Sequence, residues 1–234
     1  MASLFGGINL SEQEMGSMEK NLVHRASQKK DFLRLKNYCV QVNEHDFNDT
    51  LHKVSTGIFK ENHQAIAIAG YIHDAHYKLL SPIDLLKQYQ RQGFDFLKEI
   101  RGTFVIVIID HESIHLIRDG AGRRTLFYAK QGNLFTFAIE QKALSQINRF
   151  ERKLKQSSIV KYFSFSFIPE RDTMLEDIFE LKPNTIISYH PVKGISEQKF
   201  LNLDALEKHH ENDIDYWKEA LRKEMKNDVN FLLK

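Results

Sequence analysis

Apolar residues in this chain gather in short blocks, and polar or glycine-containing breaks separate them. Residues 2–10 open with Leu4, Phe5, Gly6, Gly7 and Ile8, which predicts a buried strand beginning almost at residue 2. Ser11 and Glu14 then give the Ser-x-x-Glu spacing of a capping box. A helix over 12–28 would place Met15, Met18, Leu22 and Val23 on one face. Residues 38–42, 57–59 and 65–72 read as strands. Pro82 predicts a helix start, because its missing N–H would be unpaired at the first helical position anyway. Ser81 is the expected N-cap; Ile83, Leu85, Leu86 and Tyr89 form the apolar face, and Gly93 ends it. A shorter helical stretch is expected over 95–100.

Two hairpins follow. Residues 103–109 are nearly all apolar, as expected of a strand buried on both faces, and 113–118 pair with them across a turn at 110–112. Residues 126–129 and 134–138 make the second hairpin around Gln131 and Gly132. Residues 142–147 and 156–163 read as helices, and 185–189 as a strand after Pro183. Tyr162, Phe163, Phe165 and Phe167 are expected to form one face in the core. From 214 onward, apolar residues at 214, 217, 221, 225, 229 and 232 mark an amphipathic helix. Strands in hairpins with interspersed helices predict an α+β fold. The pattern alone names no chemistry.

Composition removes several function classes. The length of 234 residues suits one to two domains. With 33 Lys and Arg against 31 Asp and Glu, the net charge of +2 lacks the basic excess of a nucleic-acid binder. The longest apolar run, 104–109, is far short of the roughly 20 residues that span a bilayer. The first residues show neither a basic segment nor a long apolar one, so no signal peptide is expected and a cytoplasmic location is. A lone cysteine, Cys39, excludes an internal disulfide and reads as a buried thiol. The paired histidines, His73 and His76, His111 and His115, His209 and His210, lack metal-ligand spacing, so no metal site is expected.

Several segments, taken in order, resemble the N-terminal glutaminase domain of the asparagine synthetase superfamily. The most specific run is Arg118-Asp119-Gly120-Ala121-Gly122-Arg123-Arg124-Thr125-Leu126-Phe127-Tyr128. It is similar to the family's Arg-Asp-x-x-Gly-x-Lys/Arg-Pro-Leu-Tyr/Phe-Tyr, with Thr125 replacing Pro. Phe137-Ala138-Ile139-Glu140-Gln141-Lys142-Ala143-Leu144 resembles Phe-Ala-Ser-Glu-x-Lys-Ala-Leu, with Ile139 replacing Ser. Phe167 to Pro169, Thr173, Ile178 and Leu181 to Pro183 match a third segment, and His24-Arg25 resembles the family's His-Arg-Gly-Pro-Asp. The resemblance implies a class II glutamine amidotransferase of the N-terminal-nucleophile type, folded as a four-layer αββα sandwich of two antiparallel sheets. It also implies a division into a glutaminase-like domain, 1–208, and a helix, 209–234, leading into a synthetase domain absent from this chain.

The residues the chemistry needs depart from the family. An N-terminal nucleophile hydrolase attacks the glutamine amide with the side chain of its first mature residue, a cysteine after Met removal. Here Ala2 stands at that position, and a methyl group cannot attack a carbonyl. The family's Asn-Gly-Glu-Ile-Tyr-Asn run is Ala69-Gly70-Tyr71-Ile72-His73-Asp74. The side-chain oxyanion donor is therefore an alanine, a loss worth about 2.7–4 kcal/mol of transition-state stabilisation, and the Glu is Tyr71. The Asp that binds the substrate amine becomes Pro82.

The resemblance then implies a glutaminase-like domain that does not hydrolyse glutamine, acting as structural partner of an ATP-dependent amide-forming synthetase of asparagine, β-lactam or macrolactam type. β-Lactam synthetases and lasso-peptide cyclases likewise keep the domain without its nucleophile. The chain has no Gly-rich phosphate loop, so ATP and Mg would belong to the synthetase and no cofactor to this chain. A homodimer is compatible with the sequence. Two alternatives stand: an active amidohydrolase with Ser3 as nucleophile after loss of Ala2, and a stand-alone small-molecule-binding module reusing the pocket around Gly70, Tyr71 and His73.

Overall fold

The structure is a computed structural model describing residues 2–25, 28–44, 55–202 and 214–233. In chain order it runs β1 (Ala2–Ile8), α1 (Glu12–Lys20), β2 (Lys29–Leu35), β3 (Tyr38–Glu44), β4 (Gly57–Glu61) and β5 (Gln64–His73). There follow α2 (Pro82–Gln92), a 3-10 helix (Gly93–Lys98), β6 (Arg101–Asp110), β7 (Ser113–Arg118), β8 (Phe127–Gln131) and β9 (Leu134–Ala138). The rest comprises α3 (Gln141–Leu144), α4 (Gln156–Phe165), β10 (Ile178–Glu180), β11 (Thr185–His190), β12 (Gly194–Lys199) and α5 (Ile214–Leu232).

Two six-stranded antiparallel sheets form, ordered β10-β8-β9-β1-β3-β2 and β12-β11-β7-β6-β5-β4. This is the α+β, two-sheet fold that the sequence predicts. Alternation assigns the faces. On β5, Ala65, Ala67 and Ala69 belong to the core between the sheets, whereas Ile66, Ile68 and Ile72 pack with Leu85 and Leu86 of α2. On β6, Val105 and Val107 face inward, and Ile106 and Ile108 face α2. Phe135 of β9 stacks on Tyr189 of β11, ring centroids 4.5 Å apart, and bridges the sheets. α1 covers the far face of the first sheet, with Met18 beside Thr136. Layers of helix, sheet, sheet and helix result.

Both expected caps are present. Ser11 and Glu14 close a capping box on α1, and Ser81 and Asp84 close one on α2, with Pro82 in its first turn. Such caps contribute about 1 kcal/mol each. α1 is shorter than expected, and Val23 is exposed rather than on a packed face, because the helix caps at Asn21. Strands β2, β10 and β12 have no counterpart in the hydrophobic pattern. β2 and β12 are sheet edges whose outward positions carry charge, and β10 is only three residues long. The largest correction concerns the aromatic run expected in the core. Tyr162, Phe163, Phe165 and Phe167 are all exposed, Phe163 by 83%. α4 turns that face away from both sheets. The proposed boundary at 208/209 and His209 and His210 lie outside the described residues.

Cys39 is buried, its Sγ 3.6 Å from the carbonyl of Gly7, and burial pushes its thiol up to about 11. It is therefore protonated and unreactive near neutral pH. His115 lies under α2 with Nδ1 2.7 Å from Ser188 Oγ. Burial lowers its pKa to about 4, partly offset by Asp110. The unfolded chain thus takes up this proton first as pH falls. Stability linked to neutral His115 is intact above about pH 6.5 and declines toward pH 4, at up to about 1.4 kcal/mol per pH unit. Urea unfolding between these values should show the slope, and His115→Gln should flatten it.

Candidate functional site

The predicted site residues gather at one end of the sandwich, though not all in one place. Ala2 opens β1 opposite Glu44 of β3. It shares the inward face with Leu4, Gly6 and Ile8; Ile8 pairs with Phe135, whose ring points at the second sheet. Ser3 therefore points to the other face, toward α1. It is fully buried, and its Oγ has no hydrogen-bond partner among the described residues. Ala69 is buried on the inward face of β5. Residues 2 and 69 thus share the inter-sheet core, and Ser3 does not.

Gly70 is held by contacts on every side. Its N–H donates to Thr56 Oγ1 at 3.1 Å, and its carbonyl accepts from the N–H of Ser55 at 2.9 Å. A Cβ there would lie 2.1 Å from the Thr103 carbonyl, so only glycine fits. Tyr71 Oη lies 3.3 Å from Thr103 Oγ1. His73 donates from Nδ1 to the Asp74 carbonyl at 2.8 Å and stacks on Tyr77. Asp74 shapes the next turn, accepting from the N–H groups of His76 and Lys78. Pro82 sits in the first turn of α2, near Gly57.

Tyr71 and His73 line a cavity of about 430 Å³ together with Arg101, Gly102, Thr103, Ala121 and Arg123. Glu224, Met225, Asp228 and Val229 of α5 close its other wall. Asp74 and Pro82 do not line it. Arg101, Arg123 and Thr56 were not singled out by their residue pattern; Arg101 and Arg123 lay inside segments that resemble the family, between Gly93 and Gly102 and after Arg118, and Thr56 did not.

That motif builds the loop beside the cavity. Asp119 is buried, and Oδ1 accepts from the N–H groups of Ala121 at 3.1 Å and Arg123 at 3.2 Å. Oδ2 accepts from those of Phe104 and Arg124, both at 3.4 Å. Arg118 donates to Glu180 Oε1 at 2.8 Å, to the Leu181 carbonyl and to the Gly122 carbonyl at 2.7 Å. Gly122 adopts φ +65° against Pro183, where a side chain would both strain the backbone and collide. Arg124 lies beside Gly70 with Nε buried and unpartnered among the described residues. Burial and then the nearby Arg25 charge pull its guanidinium below its ordinary value, against Asp119 and Tyr71.

Glu140 anchors the neighbouring corner. It accepts from Arg25, from His24 at 3.1 Å and from Lys142 at 3.1 Å. Burial raises its pKa, but the bonds from Arg25, His24 and Lys142 outweigh this and hold the carboxyl below its usual value. Thr125 Oγ1 donates to the Ile139 carbonyl at 2.8 Å, which ties the two corners together. Among the described residues, no group of three or more His, Cys, Asp or Glu is placed to hold a metal.

The matching stretch covers this loop and the strands on either side. Residues 81–201, just over half the chain, match the model of the glutamine amidotransferase domain. The chain belongs to that family. It is also 29% identical over 102 residues to a Methanocaldococcus jannaschii protein named "Putative asparagine synthetase 2", described as glutamine-hydrolyzing; the match spans 42% of this chain and 20% of that protein. Among solved structures, the glutamine phosphoribosylpyrophosphate amidotransferase of B. subtilis, complexed with ADP and GMP, aligns with a TM-score of 0.55 at 12% identity. It covers 85% of this chain and 49% of that one. A structure described as the allosteric regulatory enzyme of purine biosynthesis aligns with a TM-score of 0.57 at the same identity and coverage. At that identity the likeness speaks for the fold alone. This chain spans about half of those structures and a fifth of the curated relative. It is a glutamine amidotransferase domain, similar over part of its length to a protein named as a putative asparagine synthetase.

In this amidotransferase domain, Asp119→Ala would strip one carboxylate from four backbone donors. Unfolding free energy should fall by roughly 3 kcal/mol or more in urea titration, because buried N–H groups lose a charged acceptor. Asp119→Asn, which keeps one acceptor oxygen, should lose less.

Proposed function

We propose that this amidotransferase domain does not hydrolyse glutamine and serves as the structural partner of an ATP-dependent amide-forming synthetase. The observation that carries the reading is the joint state of positions 2, 69 and 70. Methyl groups stand at the nucleophile position and at the side-chain oxyanion donor. The N–H of Gly70, next to position 69, is bonded to Thr56 Oγ1. Nucleophilic attack and oxyanion stabilisation both lack their groups. Ser3, the alternative nucleophile, is buried on the face of β1 that points away from the inter-sheet core where Ala69 lies.

Exposed apolar surface supports the partner half of the reading. α4 and the turn after it present Val160, Tyr162, Phe163, Phe165 and Phe167 to solvent. α5 leaves Trp217, Leu221, Met225 and Val229 exposed along one stripe. Contiguous apolar surface of this kind is characteristic of interaction sites. The synthetase would bring ATP and Mg.

Purified protein should release no glutamate from glutamine above the uncatalysed rate. Ala2→Cys alone should not restore activity, since the donor at 69 and the carboxylate at 71 remain absent. Glutamate release by the unaltered chain would overturn the reading. Phe163→Ser with Phe165→Ser should shift stability by no more than about 0.5 kcal/mol, as exposed positions do, yet abolish co-elution with the synthetase on gel filtration.

A further inference from the structure

The cavity beside Tyr71 has an unbalanced wall. Arg101, Arg123, Tyr71, Thr103 and His73 converge on it from β5, β6 and the 119–124 loop. Arg124 stands just behind, against Gly70, with a buried Nε that has no acceptor among the described residues. Arg25 adds a further positive charge nearby. Among the described residues, few anions answer these charges. Asp119 directs both oxygens at backbone N–H groups, and Glu140 is shared among Arg25, His24 and Lys142.

Among the described residues, the remaining carboxylates at the cavity come from α5 and hold loosely. Glu224 Oε2 is 3.8 Å from Arg101 Nη1, with both side chains more than half exposed. Asp228 accepts from Tyr77 Oη at 3.2 Å. Exposed pairs at such distances contribute little. A guanidinium fork matches a two-oxygen anion far better than one distant carboxylate does. Concave sites with a few convergent polar groups are where small ligands bind.

We propose that this cavity binds a small dianionic metabolite, gripped by Arg101 and Arg123 with a hydrogen bond from Tyr71, whose Oη accepts from Thr103. Arg124 supplies positive potential from behind. Glu224 and Asp228 of α5 are the weak occupants that the anion displaces, so binding loosens α5 from this wall. The shared ligand chemistry is that of a phosphate or a dicarboxylate. The site is not one for glutamine hydrolysis, and its test uses no glutamine, so it can fail while the amidotransferase reading stands.

The test is calorimetric titration of the full chain with inorganic phosphate and, separately, with succinate, each against sodium chloride at matched ionic strength. Saturable binding of at least one is expected. A preference for phosphate assigns a phosphate ester, and a preference for succinate a dicarboxylate. Arg101→Gln and Arg123→Gln are both at exposed positions, so melting temperature should hold while binding weakens about tenfold in each. The double variant Glu224→Gln, Asp228→Asn removes the competing carboxylates and should bind about tenfold tighter. Absence of binding by both anions above the chloride control overturns the proposal, as does binding that neither arginine variant weakens. A double variant that binds no tighter removes α5 from it.

Discussion

One buried carboxylate holds the functional end of this domain together. Asp119 accepts from four backbone N–H groups, one on β6 and three in the loop it begins. Its neighbour Arg118 reaches the other way, to Glu180 and Leu181 beside the first sheet. Two adjacent residues of opposite charge thereby lock one sheet to the other at the end where position 2 lies. A buried carboxylate such as Asp119 is tolerated because both of its oxygens accept hydrogen bonds. The direction of Arg123 and Arg124 follows from that loop, and with it the character of the cavity.

None of these interactions involves the groups that glutamine hydrolysis would need. The scaffold rests on the Arg118-Asp119 loop, the inter-sheet stacking of Phe135 on Tyr189 and the alternating Ala and Ile faces of β5. The chemistry would rest on positions 2, 69, 71 and 82. These two sets are separate, so residues at the second can change without cost to the first. The family fold and the proposed loss of hydrolysis are compatible for this reason, and fold membership by itself does not carry the activity.

The hydroxyl of Thr56 satisfies the backbone at position 70. A backbone N–H left without an acceptor in a buried strand end is costly. Thr56 satisfies Gly70 and also donates to its carbonyl at 3.2 Å. At the same end, Arg124 Nε has no hydrogen-bond partner among the described residues. Away from this end, the exposed aromatic face of α4 is the other unsettled surface of the molecule, apolar where solvent would favour polar groups.

The sequence by itself determined the central strands, both capped helices and the loop motif. β5 and β6 are apolar at nearly every position because both faces are buried, and Ser81, Pro82 and Asp84 mark a helix start through purely local bonds. Local chemistry also exposed the change at position 2, since a methyl group reads the same in any context. Only the tertiary structure decided the edges and the surfaces. β2 and β12 carry charge along their open sides, so their pattern is that of loops until a neighbouring strand supplies hydrogen bonds. Tyr162 to Phe167 have the composition of a core but lie on a helix turned outward. The convergence of Arg101, Arg123 and Tyr71 joins three segments far apart in the chain. Burial and convergence are relations between segments, and no single stretch of sequence contains them.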